Sequence, residues 1–495
     1  MAERFSRRSL IGAAGLGVAA AAGAGLRLER SRAARPTPTV DRASHRNVVL
    51  IVIDSLRADH VGSFGNPFVA TPNIDALASV STRFVNHYPE AMPTVPARRT
   101  LITGRRVWPF FGWDRWDGLI NRAGWAPVEA EAETIVKALR RQGWWTAMVT
   151  DNPFLGFTPS FGPVRESPHL FVPIVGHVGN RRSPSTASPR DAARRLPRAV
   201  DSERKLDTVL RYLANNGHGR DPAQVPAARV FRQGAAALER AAGQDRPFFL
   251  YVDSFDPHEP WAPPPEYMGL YTDPDRIPIA DVVYNDADYM TPRELDTLAA
   301  TYKAELTLTD RWLGHLMDRL HDLDLDESTV IALVSDHGVY VGDRDWTGKA
   351  PHLLHPELAN TPLLVSDPES RAGGARSVFW ATTVDVPRTL MSLAGATVPD
   401  EFQGIDLAPI LDGAPPAEQR PYAHGGYGNY SFVRDNEWSY IVKNDRSDER
   451  LYHLPSDPGE LDDVATANPE AVGRMWARIV EEAGGREPPF YAAAD

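Results

Sequence analysis

The chain has 495 residues, of which 42% are hydrophobic and 24% are charged, as in ordinary globular proteins. This length exceeds the usual size of a single hydrophobic core, so we expect one large domain with a smaller appendage. The formal charge of -12 argues against nucleic acid as a partner. The absence of cysteine excludes disulfides, thiolate nucleophiles and cysteine-based zinc sites.

Residues 1–44 have the features of an export signal followed by a linker. Arg7 and Arg8 stand in SRRSLI and precede an apolar run rich in Ala and Gly, as in twin-arginine signals. The run is too short to span a membrane comfortably, and AGA at residues 22–24 is a candidate cleavage site. We therefore predict export by the twin-arginine machinery to the periplasm, the cell surface or the medium, with the signal either cleaved or kept as an anchor.

Apolar strands alternate with amphipathic helices along residues 45–412, which we predict to be a catalytic domain. NVVLIVIDS, WWTAMVTDN, RPFFLYVDS and STVIALVSDHG have the pattern of buried strands. TPNIDALASVSTRFVNHY has helical spacing, and its predicted apolar face consists of Ala76, Leu77, Val80 and Phe84. The alternation predicts an α/β fold with a large, mostly parallel, doubly wound sheet flanked by helices.

Two further regions differ in composition from this alternating pattern. Residues 167 to 224 are rich in Arg, Pro, Ser and Asn and are expected to form a surface insertion. Residues 413–495 begin with short alternating runs separated by Asn, Asp and Gly, which predict antiparallel strands. We therefore expect a small C-terminal α+β subdomain over residues 413–495.

Polar residues directly follow several of the predicted strands. In an open parallel sheet the carboxyl ends of the strands share one edge, and ligands bind there. Asp54 follows the first strand, and Asp336 and His337 follow VIALVS; Asp151 and Asp256 occupy similar positions. Two carboxylates and an imidazole from Asp54, Asp336 and His337 suit a divalent cation such as calcium, manganese, magnesium or zinc.

The segment MPTVPARRTLITG adds a hydroxyl between these two ligand segments. A bound cation would polarise the Thr94 hydroxyl as a nucleophile, and Thr94 would also cap a helix. Arg98 would then lie one helical turn away, with a permanent positive charge beside the reacting oxygen. His258, in a loop stiffened by prolines, would protonate the leaving oxygen or bind the anion, and Lys349 would contact oxygens of the transferred group.

A few other residues are weaker candidates for this site. Two histidines follow Lys349 closely, His352 and His355. The aromatic residues after the Thr94 segment would either form an apolar or sugar-stacking wall or simply pack in the interior: Trp108, Phe110, Phe111 and Trp113.

Over about residues 46 to 465 the chain resembles the sulfatase family of the alkaline phosphatase superfamily. The resemblance rests on the order of NVVLIVIDSLRADHVGSFG, TPNIDALASVSTRFVNHY, TVPARRTLITGRR, DPHEPWAPPPEY, VSDHGVYVGD and RLYHLPSDPGELDDVA. It implies an α/β catalytic domain, a small C-terminal domain and one metal ion at the strand ends. By motif it implies metal ligands at Asp54, Asp336 and His337, a nucleophile position at Thr94, and the family's arginine, loop histidine and late lysine at Arg98, His258 and Lys349.

The nucleophile position departs from the family pattern. Family sulfatases carry Cys or Ser that is converted to formylglycine, and Thr94 cannot yield this aldehyde because its β-carbon bears a methyl group. A sulfated threonine would need water to attack sulfur, whereas phosphorus accepts such an attack readily. Relatives with Thr at this place, the phosphoethanolamine and lipoteichoic acid transferases, move phosphoryl groups with a metal held by an acidic residue, Thr, Asp and His. The resemblance therefore makes Thr94 a metal ligand as well.

Two other positions also depart from the family pattern. Asp151 and Asn152 stand where many arylsulfatases have a sulfate-binding lysine and histidine. Ser55 replaces the second Asp of the usual Asp-Asp pair, which favours a smaller coordination sphere than a calcium cage of many oxygens.

We therefore expect an exported hydrolase that uses one divalent metal ion, Ca, Mn or Zn, and cleaves a sulfuric or phosphoric ester through a covalent intermediate on Thr94. Phosphodiester or phosphonate chemistry is favoured, on a small-molecule, glycan or lipid ester. A phosphoryl transferase is an alternative, but such relatives are usually multi-span membrane proteins, and no further run of ~20 apolar residues follows the signal. A non-catalytic anion-binding member is the third hypothesis. The oligomeric state stays open.

Overall fold

A computed structural model describes residues 45–113, 122–176, 187–216, 221–370 and 373–492, so the predicted signal and linker lie outside the described residues. Within these ranges the strands are β1 (Asn47–Ile53), β2 (Thr82–His87), β3 (Ala91–Met92), β4 (Trp145–Thr150), β5 (Leu170–Pro173), β6 (Phe248–Ser254), β7 (Asn285–Asp286), β8 (Thr329–Val334), β9 (Tyr340–Val341), β10 (Trp346–Gly348), β11 (Leu363–Ser366), β12 (Arg376–Ala381), β13 (Ala423–Tyr427), β14 (Tyr430–Arg434), β15 (Trp438–Lys443) and β16 (Glu449–His453).

The α-helices of the same ranges include both long helices and single turns. They are α1 (Pro72–Val80), α2 (Thr94–Thr103), α3 (Ile135–Arg141), α4 (Pro153–Phe157), α5 (Gly162–Arg165), α6 (Pro189–Ala193), α7 (Glu203–Asn215), α8 (Pro226–Ala242), α9 (Pro265–Met268), α10 (Pro292–Asp322), α11 (Pro356–Ala359), α12 (Asp385–Leu393), α13 (Ala408–Leu411) and α14 (Pro469–Glu482). Within the described ranges, none of the helices has both the length and the apolar character needed to cross a membrane.

The central sheet has eight strands among the described residues, in the order β12-β2-β11-β8-β1-β6-β4-β5. β1 pairs in parallel with β6 on one side and with β8 on the other. β11 runs antiparallel to both of its neighbours, β2 and β8. The predicted large, mostly parallel sheet is therefore confirmed.

Helices cover both faces of this sheet. Val48 and Leu50 of β1 pack in the apolar cluster that includes α2, α3 and α12, whereas Val49 and Ile51 pack in the one that includes α1, α8 and α10. Successive side chains of a strand point to opposite faces, so a strand covered on both faces must be apolar throughout. This explains why every residue of β1 is buried and confirms the doubly wound arrangement.

The prediction of one helix across TPNIDALASVSTRFVNHY was wrong in its second half. Helix α1 ends at Val80, and Thr82–His87 forms β2, which pairs with β11 and β12. Val80 is 56% exposed, and Phe84 lies in the strand. The β-branched and aromatic residues of TRFV pack well in a pleated sheet, and sheet pairing here overrides the apparent helical spacing.

The region 167 to 224, predicted as a surface insertion, contains regular structure where it is described. β5 pairs in parallel with β4 at the edge of the central sheet. Helix α7 buries Val209, Tyr212 and Leu213 against Ala262 and Ala280. The helix therefore packs on the segment that follows His258, next to the predicted site.

The C-terminal region forms a second sheet, with the order β16-β15-β14-β13-β3 in the described part of the chain. β13 to β16 are antiparallel, as predicted, and α14 packs in the adjoining apolar cluster. β3 comes from the segment just before α2 and pairs in parallel with β13. This pairing ties the C-terminal sheet to the segment that carries Thr94, and the domain boundaries at residues 44/45 and 412/413 stay predictions.

Candidate active site

The predicted metal ligands Asp54, Asp336 and His337 lie together at the carboxyl ends of β1 and β8. These strands are neighbours in parallel register, so the residues just beyond them come close together. His337 Nε2 is 3.7 Å from Asp54 Oδ1 and 3.4 Å from Asp336 Oδ2. One ligand atom from each residue falls within 4.8 Å of the others, and all three side chains are fully buried.

Thr94, the first residue of α2, joins this cluster. Its Oγ1 lies 3.2 Å from His337 Nε2. His337 Nδ1 is 2.8 Å from the carbonyl oxygen of Gly338, so Nδ1 donates and Nε2 keeps its lone pair towards Thr94 and the carboxylates. Burial lowers the pKa of His337 to about 4, which keeps the ring neutral near pH 7.

The charges and donor atoms of this cluster fit a divalent cation. Asp54 Oδ2 is buried and accepts no well-formed hydrogen bond within the described structure, although Arg98 Nη1 lies 3.1 Å away. Burial, and then the charge of Asp336, raise the pKa of Asp54 well above its usual range. A cation would relieve this repulsion, and the residues available to hold it are Asp54, Thr94, Asp336 and His337.

Ser55, which replaces an expected second carboxylate, supports the ligands by hydrogen bonds. Its hydroxyl lies 2.7 Å from Asp54 Oδ1, and its backbone N–H donates to Asp336 Oδ1 at 3.1 Å. The backbone of Ser55 is left-handed, with a φ of 58°, where the chain turns away from β1. The serine therefore orients both carboxylates instead of adding a third.

Arg98 lies one turn after Thr94 and is completely buried among carboxylates. Its Nε and Nη2 each donate to Asp253 at 2.8 Å, and Nη1 donates to Asp336. Nη1 also donates to the backbone oxygen of Thr94 at 3.2 Å. Asp253 was not among the predicted site residues, although a carboxylate inside the apolar strand FFLYVDS indicates that a buried cation faces it.

His258 and Lys349 form a second group at the site. Lys349 Nζ is 3.1 Å from His258 Nε2, and the His258 ring stacks on Phe255 with ring centroids 4.1 Å apart. The charge of Lys349 opposes the rise in the pKa of Asp54, so the two groups interact electrostatically. Two side chains that the sequence reasoning missed, Glu259 and Tyr284, complete this group.

Three polar residues follow strands, as expected, but form hydrogen bonds with backbone N–H groups: Asp151, Asn152 and Asp256. Asp151 Oδ1 accepts from the N–H of Phe255 at 2.7 Å, and Asp256 Oδ2 accepts from the N–H of Ala227, at the start of α8, at 2.8 Å. Asn152 caps the N-terminus of α4. These hydrogen bonds give each of the three a structural role.

The weaker candidates are used in packing and ion pairing. His355 Nδ1 is 2.5 Å from Glu460 Oε2, and the ring of His352 lies against Trp346. The aromatic residues Trp108 and Phe110 are buried in the apolar cluster of the C-terminal sheet. The structure therefore brings none of these four described side chains into the Thr94 cluster.

Comparison with known proteins identifies a family and several proteins of similar fold. A family model described as Sulfatase matches residues 46–396. An arylsulfatase from Clostridium perfringens is 23% identical, with 90% of this chain and 95% of the relative covered. A phosphonate monoester hydrolase from Silicibacter pomeroyi superposes with a TM-score of 0.68 at 20% identity, covering 90% of this chain and 96% of that one. A protein solved with its substrate D-glucosamine-2-N,6-O-disulfate gives a TM-score of 0.66 at 16% identity, covering 90% and 99%.

Proposed function

Because the chain belongs to the sulfatase family of ester-hydrolysing enzymes, whose members use a divalent metal, we propose that it hydrolyses a phosphoric or phosphonic ester with Thr94 as the nucleophile. The observation that carries the proposal is the position of Thr94 Oγ1, 3.2 Å from His337 Nε2 and beside two buried carboxylates. This position supports the proposal, because Thr94 Oγ1 lies beside the side chains that would hold the cation.

The chemistry of threonine favours phosphorus over sulfur as the atom attacked. A covalent ester on Thr94 is released only if water attacks the central atom, since Thr94 lacks the second hydroxyl of a hydrated aldehyde. Phosphorus accepts this second attack readily. The fold shared with a phosphonate monoester hydrolase agrees with this preference.

The residues around Thr94 have distinct parts in the proposed reaction. When bound, the cation supplies positive charge that stabilises a deprotonated hydroxyl and the oxygens of the transferred group. Thr94 Oγ1 loses its proton to solvent and bonds to phosphorus, while the bond from phosphorus to the leaving oxygen breaks. The leaving oxygen takes a proton from the His258–Lys349 pair.

The second half of the reaction regenerates the enzyme. Water attacks the phosphorus of phosphothreonine, and the bond between phosphorus and Thr94 Oγ1 breaks. One proton of that water returns to Thr94 Oγ1, and the His258–Lys349 pair takes back a proton from solvent. Arg98 holds Asp336 and the first turn of α2 in place throughout, because its guanidinium is fixed by Asp253.

Hydrolysis of a sulfuric ester is the second candidate. It is favoured by the similarity to an arylsulfatase and to a protein that binds a sulfated glucosamine. The same active site would then act on a small sulfated molecule or glycan. We also propose export through the twin-arginine pathway, which replacement of Arg7 and Arg8 by Lys would block, as cell fractionation would show.

The test is an assay of Thr94→Ala against an aryl sulfate, a phosphodiester and a phosphonate monoester, with added manganese, calcium or zinc. We expect the wild type to cleave a phosphorus ester and Thr94→Ala to lose at least about 1,000-fold in rate, because the covalent step is gone. Thr94→Ser should keep measurable activity.

Thr103→Ala is the matched control, since Thr103 is a buried threonine of the same helix whose hydroxyl donates to the backbone oxygen of Arg99. Its activity should stay within about threefold of the wild type. Full activity of Thr94→Ala on every ester would refute the nucleophile. Free acid released without an alcohol acceptor would separate hydrolysis from transfer, and metal binding without turnover would indicate a non-catalytic protein.

A further inference from the structure

Lys349 is held by two neighbours, Glu259 and Tyr284, that the reaction scheme above does not use. We propose that Glu259 and Tyr284 are positioning residues, which fix the Lys349 ammonium and the His258 ring where they meet the transferred group and the leaving oxygen. This inference rests on the proposed function, because it assigns Lys349 and His258 to that reaction.

Three polar side chains surround the Lys349 ammonium. Lys349 Nζ lies 3.1 Å from His258 Nε2, 2.9 Å from the Tyr284 hydroxyl and 3.4 Å from both carboxylate oxygens of Glu259. A flexible lysine side chain loses considerable rotamer entropy when it is held in this way, so the partners must compensate for that cost.

Glu259 supplies the countercharge for this ammonium. It is only 6% exposed, and its Oε2 is 3.4 Å from His258 Nδ1. Burial alone would raise the pKa of Glu259, but nearby positive charges, those of Lys349 and Lys205 among them, lower it below its usual value. The carboxylate is therefore ionised near pH 7 and keeps a buried cation compensated.

The backbone of Glu259 also orients His258. His258 Nδ1 is 2.6 Å from the Glu259 carbonyl oxygen, so Nδ1 donates and Nε2 is directed at Lys349. The adjacent Phe255 ring stacks on the imidazole and restricts its rotation. One residue thus sets the imidazole orientation through its carbonyl oxygen and the position of the ammonium through its carboxylate.

Tyr284 closes the group from the solvent side. Its hydroxyl donates to the carboxylate of Glu259 and accepts from Lys349. Lys349 Nζ lies 5.0 Å from the centre of the Tyr284 ring and Lys205 Nζ lies 5.6 Å from it. Both distances are within the range of cation–π attraction, and Tyr284 as a whole residue is 38% exposed. Tyr284 therefore limits the motion of Lys349 towards solvent.

The experiment is a double-mutant cycle between each neighbour and Lys349. Rates are measured on the best ester for the wild type, Glu259→Gln, Tyr284→Phe, Lys349→Met and the two double variants. With Lys349 present, Glu259→Gln should lower kcat/KM by about 10- to 100-fold, as for removed partners of catalytic groups. Tyr284→Phe, which removes one hydroxyl and keeps the ring, should lower it by about fivefold.

With Met at position 349, each second substitution should change kcat/KM by less than about twofold, because the group it positions is gone. Asp310→Asn is the matched control: Asp310 is a buried carboxylate of α10 that accepts from the N–H of Ile74 at 2.7 Å. Its effect should be the same with and without Lys349. The proposal would be overturned if each substitution, Glu259→Gln or Tyr284→Phe, lowered kcat/KM by the same factor with Lys349 as with Met at position 349. It would also be overturned if neither substitution lowered kcat/KM.

The same double-mutant cycle is repeated with a second readout, the affinity of each variant for inorganic phosphate in the presence of manganese, measured by calorimetry. If no ester is hydrolysed, the proposed function fails, yet coupling in phosphate affinity would still support positioning by Glu259 and Tyr284. If esters are hydrolysed but neither readout shows coupling to Lys349, the proposed function stands and the positioning role is refuted.

Discussion

At the scale of single residues, Arg98 is the cation that contacts several buried carboxylates of the candidate active site. Its guanidinium contacts the carboxylates of Asp54, Asp253 and Asp336, all inaccessible to solvent. A buried carboxylate is costly unless a cation and hydrogen bonds compensate for its charge. Arg98 therefore holds these three carboxylates together, in addition to contacting the backbone of Thr94.

Arg98→Met tests this role through stability. We expect the free energy of unfolding to fall by about 3–5 kcal/mol, because buried carboxylates lose their countercharge. Urea denaturation without added metal measures the change. Arg141→Met, which breaks an exposed pair with Glu133, should cost at most about 1 kcal/mol. A loss for Arg98→Met as small as that of the control would contradict the role.

The residue positions that could be predicted are those that topology fixes. Asp54, Asp336 and His337 follow apolar strands, and parallel strands bring their ends together, so the clustering of these three side chains could be predicted from the sequence. Glu259 and Tyr284 reach Lys349 from a loop and a distant segment, and no spacing rule relates those positions. The burial of Asp253 could be predicted from the apolar strand that contains it, but its pairing with Arg98 could not.

At the scale of elements, β3 links the helix of Thr94 to the C-terminal sheet. It precedes the helix of Thr94 and pairs with β13 of the C-terminal sheet. Glu90, just before it, accepts from the N–H groups of Val107 and Trp108 at 2.8 and 3.0 Å. The carboxylate thus fixes the chain on both sides of α2.

Glu90 should make stability depend on pH. Burial raises the pKa of Glu90 from 4.5 to about 7, so between these values the folded protein binds more protons than the unfolded chain. This contribution is full below about pH 4.5 and is lost as pH rises through 7, a decline of about 3 kcal/mol.

Glu90→Gln removes the titrating group and should flatten that decline. The measurement is the difference in unfolding free energy between wild type and variant across this pH range, which cancels the titration of other groups. If the difference in unfolding free energy between wild type and variant did not change with pH, the raised pKa of Glu90 would be contradicted.

Element types were predictable where the pattern was long and unbroken, as in β1 and α10. The change from helix α1 to strand β2 within residues 72 to 87 could not be predicted. The partners of β2 are β11 and β12, which lie far along the chain. Helix α7 was missed since polar and basic residues dominate its exposed face. Its buried residues Val209, Tyr212 and Leu213 gain their partners only in the folded structure.

At the scale of the whole molecule, the strand-end cluster predicts that a divalent metal stabilises the native state. A ligand that binds only the folded chain adds about 2.7 kcal/mol at 100 times its dissociation constant. Treatment with EDTA should lower Tm, and added manganese, calcium or zinc should restore it, as differential scanning calorimetry would show.

Asp54→Asn should abolish this response to metal. Asp151→Asn is the control, since Asp151 also follows a strand but binds the backbone of Phe255, and it should keep the response. A metal-dependent rise in Tm of the same size in Asp54→Asn would place the metal elsewhere.

The most direct test of Thr94 as the nucleophile is to quench the reaction in acid during turnover of a phosphorus ester and to map the modified peptide by mass spectrometry. The proposal predicts that the peptide containing Thr94 gains the mass of one phosphoryl or phosphonyl group, that the adduct sits on Thr94, and that Thr103→Ala forms it equally. Steady turnover with Thr94 unmodified, and with the group found on another residue, would contradict it.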